Sequence, residues 1–100
     1  MTCAFCEIVK GTRHAQVLYR TPSFVAFEPV TRAEHKLLIV PTGHYQSLGE
    51  IPLSVLSEWL SVAHEIAGRL KASSCKMQIN VGAKHQNVRH LYMQFTYTKG

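Results

Sequence analysis

The residues best equipped for chemistry lie near the two ends of the chain. Towards the C-terminus, Arg89-His90-Leu91-Tyr92-Met93-Gln94-Phe95 alternates polar and apolar side chains. Successive side chains on a strand face opposite ways, so this period predicts His90, Tyr92 and Gln94 on one face with Leu91, Met93 and Phe95 packed beneath. An imidazole changes charge near neutral pH, whereas a phenol with a pKa of about 10 is a poor nucleophile at pH 7. Towards the N-terminus, Cys3 and Cys6 form a Cys-x-x-Cys pair, which alone fits two reduced buried thiols or a redox pair. Cys75 stands apart at the start of an apolar stretch and reads as a buried free thiol.

These residues need elements to hold them. Cys3 to Val9 suits a short helix ended by Gly11. Val17-Leu18-Tyr19 and Phe24-Val25-Ala26-Phe27 are β-favouring runs flanking Thr21-Pro22-Ser23, a hairpin signal. Leu37-Leu38-Ile39-Val40, closed by Pro41, reads as a buried central strand. From Pro52 to Lys71 the period changes: Leu53, Leu56, Leu60, Ala63, Ala67 and Leu70 recur every three or four residues, widened by Trp59 and Ile66. That predicts one long amphipathic helix, with Pro52 in its first turn and Arg69 and Lys71 at its C-terminal dipole. Met77 to Val81 and Val88 to Tyr97 read as two further strands. The order predicts an antiparallel α+β domain spanning residues 1–100.

Composition narrows the class. At 46% hydrophobic and 17% charged residues the chain reads as globular. The net charge of +5 comes from dispersed Lys and Arg, which argues against a nucleic-acid groove and reads either as a solvated basic surface or as a general attraction for anions such as nucleotides. No run suits a membrane span or a signal peptide, so the expected setting is cytoplasmic, with neither nucleic acid nor membrane as partner. A core this small makes dimerisation unsurprising.

Taken in order, the segments resemble the histidine triad (HIT) superfamily. Cys3-Ala4-Phe5-Cys6-Glu7-Ile8 is similar to the opening "C-x-F-C-x-I", and Val25-Ala26-Phe27 to the "V-A-F" strand. Leu37 to Pro41, followed by His44 and Tyr45, is similar to "L-V-I-P-x-x-H". Asn80-x-Gly82 and Gln86-x-Val88-x-His90-Leu91 match the approach to the triad strand, where the family carries His-x-His-x-His. The resemblance covers nearly the whole chain. It implies a five-stranded antiparallel sheet with one long helix and a short N-terminal helix, usually in a homodimer.

It also implies a nucleotide or nucleoside phosphate ligand. Family members hydrolyse or transfer nucleotidyl groups on nucleoside phosphoramidates and dinucleoside polyphosphates, the middle histidine attacking the α-phosphate. Here Tyr92 holds that position, which implies weak or absent hydrolase and nucleotidyltransferase activity. Gln94, in the third position, can still donate a hydrogen bond to a phosphate oxygen. The resemblance places nucleotide contacts at Phe5, Ile8, Phe27, Glu28, Asn80, Gln86, Asn87 and Val88. Of these, Phe5 and Ile8 form the base wall, Glu28 sits one place early for the aspartate that holds the ribose, and Asn87 stands where a phosphate-touching hydroxyl is common. Some members bind structural zinc through residues matching Cys3, Cys6, His44 and His90, a closed tetrahedral donor set.

Two alternatives stay open. One is an active hydrolase using a displaced group such as His85 or His35. The other is a non-catalytic, zinc-stabilised interaction module. Trp59 is expected in the core or a dimer contact, and His64 on or near the helix surface.

Overall fold

A computed structural model describes residues 3–29, 35–81 and 90–99. Helix α1 spans Ala4–Lys10 and leads into β1 (Val17–Arg20), β2 (Phe24–Phe27) and β3 (Lys36–Pro41). A 3-10 turn over Leu48–Glu50 precedes α2 (Leu53–Leu70), which is followed by β4 (Ala72–Ile79) and β5 (Met93–Lys99). All strand pairs are antiparallel, in the order β1-β2-β3-β5-β4. This is the five-stranded α+β arrangement expected from the sequence.

Alternation along the strands divides the sheet into two dry faces. Phe24, Ala26, Leu37, Ile39, Met93 and Phe95 face α2, together with Leu91. Val25, Phe27, Val40 and Tyr92 face the other way, against Phe5 and Ile8 of α1. The helix α2 buries Trp59, Val62, Ala63 and Ile66, the i, i+3, i+4, i+7 spacing of one helical face. Trp59 is wholly buried, and its indole N–H donates to the Ile39 carbonyl at 3.2 Å. The core half of its sequence expectation holds.

Three expectations need correction. The buried stripe of α2 is rotated from the one predicted, since Leu53 and Leu60 are 77% and 56% exposed. This helix is apolar on two sides, and the face bearing Trp59, its largest side chain, meets the sheet. Secondly, β4 starts at Ala72 and ends at Ile79, earlier than the predicted 77–81. The Ser73-Ser74-Cys75 stretch lacks a strand-like pattern because it lies on a sheet edge, drawn into register by β5 through Ala72 opposite Lys99. Cys75 is therefore exposed rather than buried.

Thirdly, the ladder of β5 begins at Met93 rather than at 88, and residues 88–89 lie outside the described ones. Ile39 opposite Met93 is the last β3–β5 pair. Beyond it the Leu91 amide bonds the Tyr45 carbonyl, and His90 reaches Pro41 with its side chain instead of its backbone. The alternation of faces persists through residues 91–93 although the ladder does not.

Candidate functional site

Cys3 caps the N-terminus of α1: its backbone is extended and its Sγ accepts the Cys6 amide at 3.4 Å. A three-residue spacing at a helix start keeps both sulfurs on one side. His44 follows the end of β3, and His90 precedes the start of β5. Sheet pairing therefore brings both imidazoles to the thiols of α1. Cys3 Sγ lies 3.4 Å from His90 Nδ1, and Cys6 Sγ lies 3.1 Å from His44 Nδ1 and 3.5 Å from His90 Nδ1. The two Nδ1 atoms are 3.2 Å apart, and all four donor atoms fall within 4.8 Å of one another.

Those separations can be tested against a cation. A tetrahedral zinc with Zn–S of about 2.3 Å and Zn–N of about 2.0–2.1 Å places two nitrogens about 3.3 Å apart and a sulfur and a nitrogen about 3.5 Å apart. The four spacings just given lie within about half an ångström of these values, while the full set spans up to 4.8 Å, about 1 Å wider than a closed tetrahedron. The tautomer of His90 also fits. Its Nε2 lies 3.0 Å from the Pro41 carbonyl, an acceptor only, so Nε2 carries the proton and Nδ1 keeps its lone pair for the cluster. His44 Nε2 lies 3.4 Å from the side-chain amide of Gln46, a second outer contact.

Burial shapes the protonation of this group. Loss of solvent holds the His90 imidazole below its ordinary pKa; the Pro41 hydrogen bond opposes this and His44 adds to it. Burial pushes the Cys6 thiol up, helped by the hydrogen bond and charge of Cys3, while Lys10 pulls the other way. A neutral His90 is the form that donates a lone pair. The raised thiol needs a cation to favour its thiolate.

On the same side of the sheet, Tyr92 is 3% exposed. Phe5 meets it edge-on, with ring centroids 5.3 Å apart and planes at 78°. Val25, Phe27 and Val40 belong to the same cluster. Gln94 is half-buried on β5, with Gln78 of β4 directly across the ladder. Gln78 in turn donates to the Asn80 side chain at 2.9 Å. Gln78, a residue not singled out from sequence, is thus the ladder partner of Gln94 and the hydrogen-bond partner of Asn80. Gln86, Asn87 and Val88, with the alternative candidate His85, lie outside the described residues. The other alternative, His35, stacks on Tyr97 at 5.0 Å, on the α2 side of the sheet.

Beside α1 a cleft of about 390 Å³ opens. It contains Ile8, Phe27 and Glu28, three of the expected nucleotide contacts. Phe5 packs behind them, edge-on to Phe27 at 5.6 Å. The cleft also holds Arg13, His14 and Gln16, which no sequence period marked. They arrive through the chain path: Gly11 closes α1 at φ +83°, and the Glu28 amide bonds the Gln16 carbonyl at 3.0 Å. Apolar walls with a polar lip, in a cavity of this size, suit a small organic ligand.

Comparison with known proteins identifies the family and the fold. The family model described as "Scavenger mRNA decapping enzyme C-term binding" matches residues 2–99. The chain is 30% identical over 92 residues to adenosine 5′-monophosphoramidase HNT1 of Saccharomyces cerevisiae, covering 90% of this chain and 58% of that protein. It is 31% identical over 87 residues to an uncharacterized HIT-like protein of Saccharolobus solfataricus, covering 80% and 61% respectively. The chain thus spans about three fifths of the length of these curated relatives. Among solved structures, a histidine triad protein from Clostridium difficile superposes with a TM-score of 0.90 at 28% identity, covering all of this chain and 93% of that one. A zinc-bound histidine triad family protein from Mycobacterium smegmatis gives 0.87 at 24% identity, covering 100% and 77%, a likeness of fold alone.

The packing of Tyr92 predicts how it responds to substitution. Tyr92→Ala should destabilise the fold by about 3–5 kcal/mol, as for other buried aromatics. Tyr92→Phe keeps the ring and should cost no more than about 1.5 kcal/mol. Urea denaturation midpoints check both; equal effects would contradict the packing role.

Proposed function

The chain belongs to the histidine triad superfamily, and from that premise we propose that it is a nucleotide-binding protein with weak or absent hydrolase and nucleotidyltransferase activity. The observation that carries this reading is Tyr92: the position of the attacking histidine holds a phenol packed into the core beneath α1. Neutral His90 does not replace it, because Nε2–H is committed to Pro41 and Nδ1 faces the thiols. Nor is His35 placed to help, being stacked on Tyr97 across the sheet.

Binding is better supported than turnover. Ile8 and Phe27 would sandwich the base, and Glu28 would accept hydrogen bonds from the ribose hydroxyls. Gln94, with Asn80 and Gln78 beside it, would offer amide donors to phosphate. Gln86, Asn87 and Val88 would complete that end by the family pattern. The yeast relative, an adenosine 5′-monophosphoramidase, supports a nucleoside phosphate as ligand class.

Zinc is the metal that best suits two thiolates and two imidazoles, and Cys3, Cys6, His44 and His90 would hold it. When bound in such a closed set it supplies a structural cross-link, tying α1 to the ends of β3 and β5. A homodimer is supported by the open β4 edge, exposed over six successive residues, and by the outward Leu53, Leu60 and Met77.

Each part has its own measurement. Calorimetric titration with AMP and GMP should show binding, while an adenosine phosphoramidate should turn over slowly or not at all and leave no nucleotidylated adduct by intact mass. Robust turnover lost in Tyr92→Phe would make Tyr92 a nucleophile and overturn the reading. Metal analysis should find about one zinc per chain, with Cys6→Ser losing it and chelation lowering the thermal midpoint by several degrees. Full zinc retention in Cys6→Ser would remove the proposed ligand set. Sedimentation should give a dimer that Leu60→Glu with Met77→Lys converts to monomer; a double variant that stays dimeric would place the interface elsewhere.

A further inference from the structure

The polar lip of the cleft bears on a choice that nucleotide binding alone leaves open, namely which base is accepted. We propose that Arg13 makes the cleft selective for 6-oxopurine nucleotides, those of guanine and hypoxanthine, over adenine nucleotides; the inference rests on the nucleotide-binding reading above.

Arg13 stands on a fixed stretch of backbone. The Thr12 and Arg13 amides both bond the Glu7 carbonyl, at 2.9 and 3.3 Å, and the Thr12 hydroxyl bonds it at 3.3 Å. Three residues later the Gln16 carbonyl is held by the Glu28 amide. The guanidinium is oriented as well: Arg13 Nε donates to Glu7 Oε1 at 2.8 Å. Its two Nη groups bond no acceptor among the described residues. An oriented guanidinium thus keeps one fork of donors beside a cleft whose apolar residues, Ile8 and Phe27, suit a planar ring.

The donor pattern decides the base. Guanine and hypoxanthine carry two adjacent acceptors, O6 and N7, which match the guanidinium fork with two parallel hydrogen bonds. Adenine carries the N6 amino group beside N7, so one prong of the fork would meet a donor. Gln16 does not discriminate in this way, because an amide both donates and accepts and suits either edge. Glu28 is assigned to the ribose, which all these ligands share. Arg13 only donates, whereas Gln16 and the imidazole of His14 can each donate or accept, and so Arg13 is the group on the lip that can reject adenine. Its side chain is 51% exposed, so water competes and the discrimination should be roughly tenfold rather than absolute. The same logic rejects a base methylated at N7, which has lost an acceptor and gained a positive charge.

The test is calorimetric titration of the intact chain, Arg13→Ala and Arg13→Lys with GMP, IMP, AMP and 7-methyl-GMP. GMP and IMP should bind roughly tenfold more tightly than AMP, and 7-methyl-GMP no better than AMP. Arg13→Ala should abolish the preference, so that GMP, IMP and AMP bind alike. Arg13→Lys, which keeps the charge but not the fork, should recover little of the preference. A half-exposed residue should be replaceable without unfolding, and thermal melts of both variants check this. AMP binding as tight as GMP, or a preference that survives Arg13→Ala, would overturn the assignment while leaving nucleotide binding intact. If none of the four ligands binds, the nucleotide reading itself fails and the assignment falls with it.

Discussion

The structure turns on one buried hydrogen bond, from His90 Nε2–H to the carbonyl of Pro41. Proline has no N–H to continue a ladder, so the end of β3 has a carbonyl to offer and no backbone donor. An imidazole satisfies that carbonyl inside the protein, where leaving it unpaired would cost about 1–3 kcal/mol. The bond fixes which nitrogen of His90 carries the proton, and so directs the other at Cys3, Cys6 and His44. It also marks where β5 parts from β3, since Leu91 has already turned its amide to Tyr45. The seat of α1 follows from the same point, because its cap and first turn supply both thiols and Phe5, and the residues after them supply Ile8.

The functional landscape divides accordingly. One side of α1 belongs to the sulfur–imidazole cluster, and Ile8 reaches the cleft. Between them Phe5 touches His90, Tyr92 and Phe27 edge-on and separates the two regions with apolar surface. His90 has both nitrogens engaged by protein atoms, so its contacts with Pro41 and the thiols account for a histidine at this position. A residue that serves as a strut and cluster member has no free nitrogen with which to handle a phosphate.

Much of this was legible in the sequence because it depends on period and punctuation. Phe24 to Phe27 and Leu37 to Pro41 are apolar runs bounded by turn residues, and both are strands within a residue of their expected limits. The alternation from His90 to Phe95 gave the correct faces, and the order of Cys3, Cys6, His44 and His90 matched the cluster found. What was illegible depends on tertiary context. Helix α2 has leucines on two sides, and only the fit of Trp59 against Ile39 selects the buried one. The polar start of β4 is a strand because β5 has unpaired residues to offer it. Arg13, His14 and Gln16 carry no periodic signal; they meet Glu28 only because β1 and β2 form a hairpin whose pairing extends one step beyond the ladder.

Tyr92, at the position where the family pattern carries its middle histidine, is a packing residue of this fold. A side chain at that position has an obligation to pack, since it faces Phe5, Val25 and Val40 in a cluster closed to solvent. An imidazole meets that obligation poorly, being smaller and partly polar. A phenol ring brings more of the roughly 150–250 Å² that a buried aromatic typically removes from water, and prefers the edge-to-face contact it makes with Phe5. Replacing it by a smaller ring would open space costing about 24 cal/mol per Å³ of residual cavity. In this chain the packing around position 92 favours the larger ring. The cleft beside α1 draws on the same packing. Its walls, Ile8 and Phe27, belong to the core cluster, and core packing alone accounts for their apolar character.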